Sequence, residues 1–277
     1  MKGSNTKQMA DTPLLKIAAL DQGDLAVISA HLQDAVLRVG DLRWMKSAGK
    51  LALVANRFDH FGDKAGSGAH YNVSLAAKDG SNLFDVGSNT DPRNCGLTEL
   101  GYQFIGGVMR HLPAIQAVAA PTVNSYKRLI LKGSSSGYTW APCFVSYGNN
   151  NRTNTIRIPS GGGRVELRSA DSACNPYLGI AMMIAAGLEG ISEKIDPGEP
   201  HRDNLYTKSD EERSRKGVVW LPRTLEEAVD EFEQDPLGKE VFGELMFDSW
   251  RELKRAEWLG YLNHVSDWER ERYLKRF

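Results

Sequence analysis

Polar and apolar positions alternate along Arg164-Val165-Glu166-Leu167-Arg168. Successive side chains on a strand point to opposite faces. The run therefore predicts a strand that buries Val165 and Leu167 and sets Arg164, Glu166 and Arg168 on the other face. A short strand precedes it, and Ser160-Gly161-Gly162-Gly163 supplies the turn between them. Alternation after His70 predicts another strand, paired through Asp79-Gly80 with a partner over residues 82–86. Helical spacing takes over elsewhere. Leu100, Phe104, Val108 and Leu112 share one face of a helix over 97–112, which Pro113 ends or kinks. A short helix covers 122–129. Asn175-Pro176 opens a helix reaching about residue 190, where Gly179, Ala181, Ala185, Ala186 and Gly187 permit close packing. Capping boxes at Thr224–Glu227 and Ser266–Glu269 start two more helices. The tail from Glu244 is helical, with Trp250, Leu253, Trp258, Tyr261, Leu262 and Trp268 as its packing face.

The first 60 residues read differently. Residues 14–20 form a strand, 21–39 an amphipathic helix with Leu25, Ile28, Leu32, Val36 and Val39 at helical spacing, and 42–58 a hairpin. The joint falls near residues 59–64. The fold class is α+β: a curved, mainly antiparallel sheet flanked by helices, with a small N-terminal strand-helix-hairpin unit. The domains are 1–60 and 61–277.

Composition narrows the function classes. A formal net charge of −1 gives no support for nucleic-acid or membrane-surface binding. Cys95, Cys143 and Cys174 are scattered, which predicts reduced thiols in a cytoplasmic protein and no zinc site. No signal peptide is read at the start, and the longest apolar run, 177–188, is too short to span a bilayer.

A Glu between two Arg on a strand is ordinarily a surface ion pair worth ~0–1 kcal/mol. Arg128, Arg152 and Arg157 lie close by in sequence and change that reading. Arginine suits bidentate capture of phosphate or carboxylate. Five arginines converging on one cleft would take a multiply charged anion such as a nucleoside triphosphate, leaving Glu166 to hold a metal.

NSYKRL at 124–129, NNRTNTIRIP at 150–159, RVELR at 164–168 and NPYLGIAMMIAAGLEGI at 175–191 resemble the C-terminal half of the glutamine synthetase family. Gly66-Ser67-Gly68-Ala69-His70 resembles that family's glycine-serine-glycine-x-histidine segment. The resemblance covers about residues 61 to 277. Residues 1–60 are instead similar to the start of an uncharacterised bacterial family. A protein whose function lay in those residues would be an interaction protein.

The resemblance implies an ATP-dependent ligase that joins ammonia or a small alkylamine such as methylamine to glutamate through an acyl phosphate, with Mg2+ or Mn2+. It implies metal contacts by His70 and Glu166 and phosphate contacts by Arg152 and Arg168. Arg128 takes the glutamate carboxylate. Arg157, Arg164, Asn72 and Ser74 lie on the nucleotide side, and Gly66 offers backbone groups. Family members are homo-oligomers.

Three departures matter. Asn72 stands where many members have a second His. Trp140 stands where true glutamine synthetases carry a flap glutamate, and Ser136-Gly137-Tyr138-Thr139-Trp140-Ala141-Pro142 resembles the gamma-glutamylmethylamide synthetase branch. The family's N-terminal domain and a strand bearing further metal carboxylates have no counterpart here. That predicts impaired catalysis, with a non-catalytic nucleotide- or anion-binding remnant as the alternative.

Overall fold

The computed structural model describes residues 68–131 and 141–274. The strand-helix-hairpin unit expected over 1–60, Gly66 and Trp140 lie outside the described residues. In chain order the elements are β1 (Tyr71–Val73), α1 (Glu99–Ala119), α2 (Val123–Arg128), β2 (Phe144–Val145), β3 (Tyr147–Asn149), β4 (Ile156–Ile158), β5 (Val165–Leu167), α3 (Pro176–Ser192), α4 (Asp210–Arg215), β6 (Val219–Trp220), α5 (Leu225–Gln234), α6 (Pro236–Leu262) and α7 (Asp267–Tyr273). The main sheet runs β1-β5-β4-β3, and β2 pairs with β6 in a second, two-stranded sheet. The β1–β5 and β4–β5 pairs are antiparallel and β3–β4 is parallel. The α+β class and the mainly antiparallel sheet agree with the sequence pattern.

Tyr71, Val73, Ile156, Ile158, Val165 and Leu167 are buried on one face of the sheet, in a core shared with α1 and α3. Those two helices cross at glycine. A Cβ added at Gly107 of α1 would stand 2.0 Å from the Ala186 carbonyl and 2.6 Å from the Gly190 amide of α3. The small residues expected to permit close packing on α3 do so here: Gly187 lies under the Phe104 ring. α1 continues through Pro113 to Ala119, seven residues past Leu112, so of the two expectations the helix does not end there. An interior proline costs about 3 kcal/mol. Burial of Ile115, Ala117, Val118 and Ala119 beyond it outweighs that.

Two other expectations give way. Residues 82–86 form no strand; their ladder pairing is confined to the single bridges Ala76↔Asn82 and Asp85↔Leu97. Asn82 uses its amide otherwise, accepting from Phe84 N and donating to the Gly163 carbonyl at 2.7 Å. On α6, a left-handed Gly243 (φ 70°) breaks the helix, and the second half buries only part of the anticipated face. Trp250 and Trp258 pack against the core. Leu253, Tyr261, Leu262 and Trp268 are exposed. Capping mostly follows the pattern: Thr122 and Ser266 head capping boxes and Asn175 caps α3. At α5, Thr224 caps, but Glu227 reaches back to Arg223 N, one residue earlier than a capping box requires.

A charge cluster ties three helices together. His111 of α1 is buried, with Nδ1 2.7 Å from Asp235, the cap of α6, and Nε2 2.9 Å from Glu189 of α3. Burial lowers the imidazole's proton affinity, but the hydrogen bonds to Asp235 and Glu189 outweigh it and raise the pKa.

Replacing Gly107 by alanine should destabilise the chain by about 1–3 kcal/mol in urea titration, because backbone cannot retreat from the new Cβ. The same change at Gly260, with nothing within 4 Å, should be neutral or stabilise by up to about 1 kcal/mol. His111→Gln should cost about 2 kcal/mol at acid pH. A raised folded pKa gives stability that is full below the unfolded value of about 6.5 and is lost as pH rises through the folded one. The melting-temperature gap between parent and H111Q should therefore narrow as pH rises above about 6.5; a gap that widens would contradict the charged cluster.

Candidate functional site

The register of β5 builds the site. Glu166 sits opposite Asn72 of β1 and opposite Arg157 of β4, which puts the three in one row across the sheet. Continuing the β1–β5 register by one residue each way sets His70 beside Arg168 and Ser74 beside Arg164, on the same face. The apolar residues between them take the opposite face, so burial of Tyr71, Val73, Val165 and Leu167 fixes where the polar ones stand.

The polar face departs from a solvated ion-pair row. Glu166 is only 3% exposed and Arg168 5%. Glu166 Oε1 lies 2.6 Å from His70 Nδ1 and 3.9 Å from Arg168 Nε, and Oε2 lies 2.6 Å from Arg157 Nε. Burial raises the Glu166 pKa, but the hydrogen bond from His70 and the charges of Arg157 and Arg168 hold the carboxyl below the usual carboxylate range. Arg168 is pushed down to about 10, chiefly by burial, with Arg157 and Arg152 adding to the effect. It donates to the carbonyls of Arg152 and Asn154, which fastens the loop before β4 to the row. Arg152 itself is exposed at the rim. Arg164 donates to Asn72 Oδ1 at 3.3 Å, and Ser74 is exposed beside this pair.

Arg128 comes from the last turn of α2. Its Nη2 donates to the carbonyls of Ser169 and Ala170 at 2.5 and 2.9 Å, just beyond β5. A Cβ on Gly68 would stand 3.1 Å from Arg128 Nη1, so the guanidinium lies over the segment that leads into His70. Of the sequence-predicted residues, His70, Asn72, Ser74, Arg152, Arg157, Arg164, Glu166 and Arg168 gather on or beside one sheet face, with Arg128 over Gly68, two residues before His70. Asp171 is a further residue at the site, and no motif in the sequence marks it. It is buried beside Arg128, with Oδ2 4.0 Å from Nε, and nothing in the spacing of the two residues signals that contact.

His70 and Glu166 are a donor set for a hard divalent ion only in part. With the Nδ1 proton shared with Glu166, the His70 Nε2 lone pair is the natural ligand atom. Both Glu166 oxygens already face cations. Among the described residues no group of three or more His, Cys, Asp or Glu is arranged to hold a metal. The pair fits an ion bound jointly with phosphate and water, the usual mode for magnesium, and does not amount to an all-protein cage. No helix among the described residues is long and apolar enough to cross a membrane.

A family model described as "Glutamine synthetase, catalytic domain" matches residues 54–273. A second, described as "Protein of unknown function (DUF2948)", matches residues 15–78, so the two overlap over β1. The glutamate–methylamine ligase of Methyloversatilis universalis is 42% identical over 218 residues, spanning 78% of this chain and 48% of that protein. The glutamine synthetase of Halobacterium salinarum is 43% identical over 219 residues, spanning 78% and 46%. A solved structure of a GmaS/ADP complex superposes with a TM-score of 0.67 at 37% identity, covering 78% of this chain and 49% of that one. The chain thus spans about half the length of the curated relatives it matches. The family-model match over residues 54–273 and the identity to these relatives show that the chain belongs to the glutamine synthetase family, of whose catalytic domain it carries a part.

Proposed function

We propose that this chain carries the phosphate-facing part of a ligase that joins glutamate to ammonia or a small alkylamine at the expense of ATP. The observation that carries the proposal is the buried cross-strand row, in which Glu166 is ringed by His70, Arg157 and Arg168. Burial leaves the charges of Glu166 and Arg168 with little solvent to screen them, beneath a rim that carries exposed His70, Arg152 and Arg164.

In this reading the glutamate side-chain carboxylate attacks the terminal phosphorus of ATP, and ADP leaves. Arg152 and Arg168 neutralise charge on the moving phosphoryl group. Arg128 holds the glutamate carboxylate. The amine then attacks the acyl phosphate carbon, and phosphate departs as the amine loses a proton. Asn72 and Ser74, with Arg157 and Arg164, serve the nucleotide side, and Gly66 offers backbone groups. Trp140 stands in sequence where the family carries its flap glutamate, and an apolar side chain there suits an alkylamine better than a carboxylate would. A Mg2+ or Mn2+ ion at His70 and Glu166 would supply charge neutralisation at the phosphates.

We place the domain boundary near residue 60, the protein in the cytoplasm, where free Cys95, Cys143 and Cys174 persist, and its assembly among homo-oligomers. One observation favours a second reading. The described residues bring only one His and one Glu together as metal donors. That suits impaired catalysis, with nucleotide or another anion bound but not turned over.

Titration calorimetry should find manganese binding strengthened by ATP; two tightly held ions without nucleotide would refute the partial metal site. Arg157→Ala should weaken ADP binding at least tenfold, about 1.4 kcal/mol. A coupled ADP-release assay separates the readings, since turnover favours the ligase and nucleotide protection against heating without turnover favours the remnant. Where turnover occurs, methylamine should outrun ammonia, and a clear preference for ammonia would count against the Trp140 flap.

A further inference from the structure

Asp171 occupies the turn just after β5, wholly out of solvent. Its N–H donates to the Ala119 carbonyl at the end of α1, and its carbonyl accepts from Cys174 N. It bridges to Gly68, and Ala69 N donates to the neighbouring Ala170 carbonyl at 2.8 Å. Three segments therefore meet at this residue: the helix end, the lead into His70, and the exit of β5.

The carboxylate divides its oxygens. Oδ1 accepts from Ala173 N at 2.8 Å and shapes the turn. Oδ2 faces Arg128 Nε at 4.0 Å, with both side chains nearly free of solvent. Charge at that distance acts with little screening. Nη2 of the same guanidinium is held by the carbonyls of Ser169 and Ala170. Nη2 of the Arg128 fork is thus held by two consecutive carbonyls, Nε faces the next residue across 4.0 Å, and Nη1 is turned to the Gly68 backbone.

We propose that Asp171 is a positioning residue. Its buried charge, together with the Ser169 and Ala170 carbonyls, fixes the plane of the Arg128 guanidinium, so that the Nη1 donors meet a substrate carboxylate in one orientation. The proposal rests on the reading of Arg128 as the carboxylate contact. A turn-forming role alone would need only the Oδ1 acceptor, which asparagine also offers. Asp171→Asn therefore keeps the turn and removes the charge.

The test uses the full chain, the parent and D171N. Three quantities are measured: glutamate affinity, ADP affinity, and hydrogen exchange at the Arg128 Nε–H in 15N spectra, assigned by its loss in R128K. D171N should bind glutamate at least tenfold more weakly and ADP within twofold of the parent, with Nε–H exchange at least tenfold faster. Unchanged glutamate affinity, or a parallel loss of ADP affinity, overturns the proposal. If the parent binds no glutamate, the ligase reading fails, and exchange alone decides: faster exchange in D171N sustains the positioning role and unchanged exchange ends it. Should D171N not fold, Gly68→Ala displaces Nη1 by a few tenths of an ångström with Asp171 intact. It should then weaken glutamate binding and spare ADP binding; glutamate affinity equal to the parent's would overturn the proposal.

Discussion

A carboxylate buried on the polar side of a sheet is the constraint on which this site depends. Taking Glu166 out of water costs several kcal/mol unless opposite charge surrounds it. Sheet geometry supplies that charge from two directions and a hydrogen-bond donor from a third. Arg157 comes from the strand on one side, His70 leads into the strand on the other, and Arg168 stands two residues along β5 itself. The same geometry keeps the arginines from dispersing. Arg168 is fastened through the Arg152 carbonyl, so the rim arginine and the buried one are set by one contact.

The row keeps its place because of what lies beneath it. Val165 and Leu167 hold β5 down, and Tyr71 and Val73 hold β1. Tyr71 in turn touches Gly179 at the start of α3, where a Cβ would stand 2.7 Å from its hydroxyl. α3 is fitted to α1 by glycine contacts that admit no side chain. Each step, from helix crossing to apolar strand face to polar row, has little freedom. Packing this close turns a core substitution into a displacement at the site. α2 adds Arg128 from another direction, its start set by the Thr122 capping box and its end by carbonyls beyond β5.

The sequence made the periodic parts legible. Alternation through residues 164–168 marked both faces of β5 correctly, and helical spacing together with capping residues located α1, α2, α3, α5 and α7. What it could not carry was information held between distant segments. Burial of Glu166 and Arg168 depends on β1 and β4 arriving on either side, and a strand read alone leaves its charged face in water. β2 and β6 are two residues each, too short for any period to register. Pro113 left open whether the helix ended or went on, and tertiary burial beyond it decided for continuation. The stripe on α6 was assigned too widely, since composition marks which residues are apolar but not which side meets a partner. Asp171 escaped notice for the same reason as the buried row. Its role depends on α2 and the exit of β5 meeting in space.

The electrostatics of the face also constrain any partner. Arg128, Arg152, Arg157, Arg164 and Arg168 stand with Glu166 and Asp171 as the nearby carboxylates. Glu166 already faces two arginines and a histidine, so it cannot also neutralise Arg152 and Arg164 at the rim. Arg168 has its proton affinity lowered toward 10 by burial and by neighbouring arginines, so the cluster is partly self-opposed as it stands. A ligand with several negative charges relieves that opposition, and a neutral or singly charged ligand does so only partly. A metal ion arriving alone would have the opposite effect, adding positive charge to cations already in contact. Entry of a divalent ion together with phosphate, as one unit of net negative charge, is the order that this arrangement of residues favours.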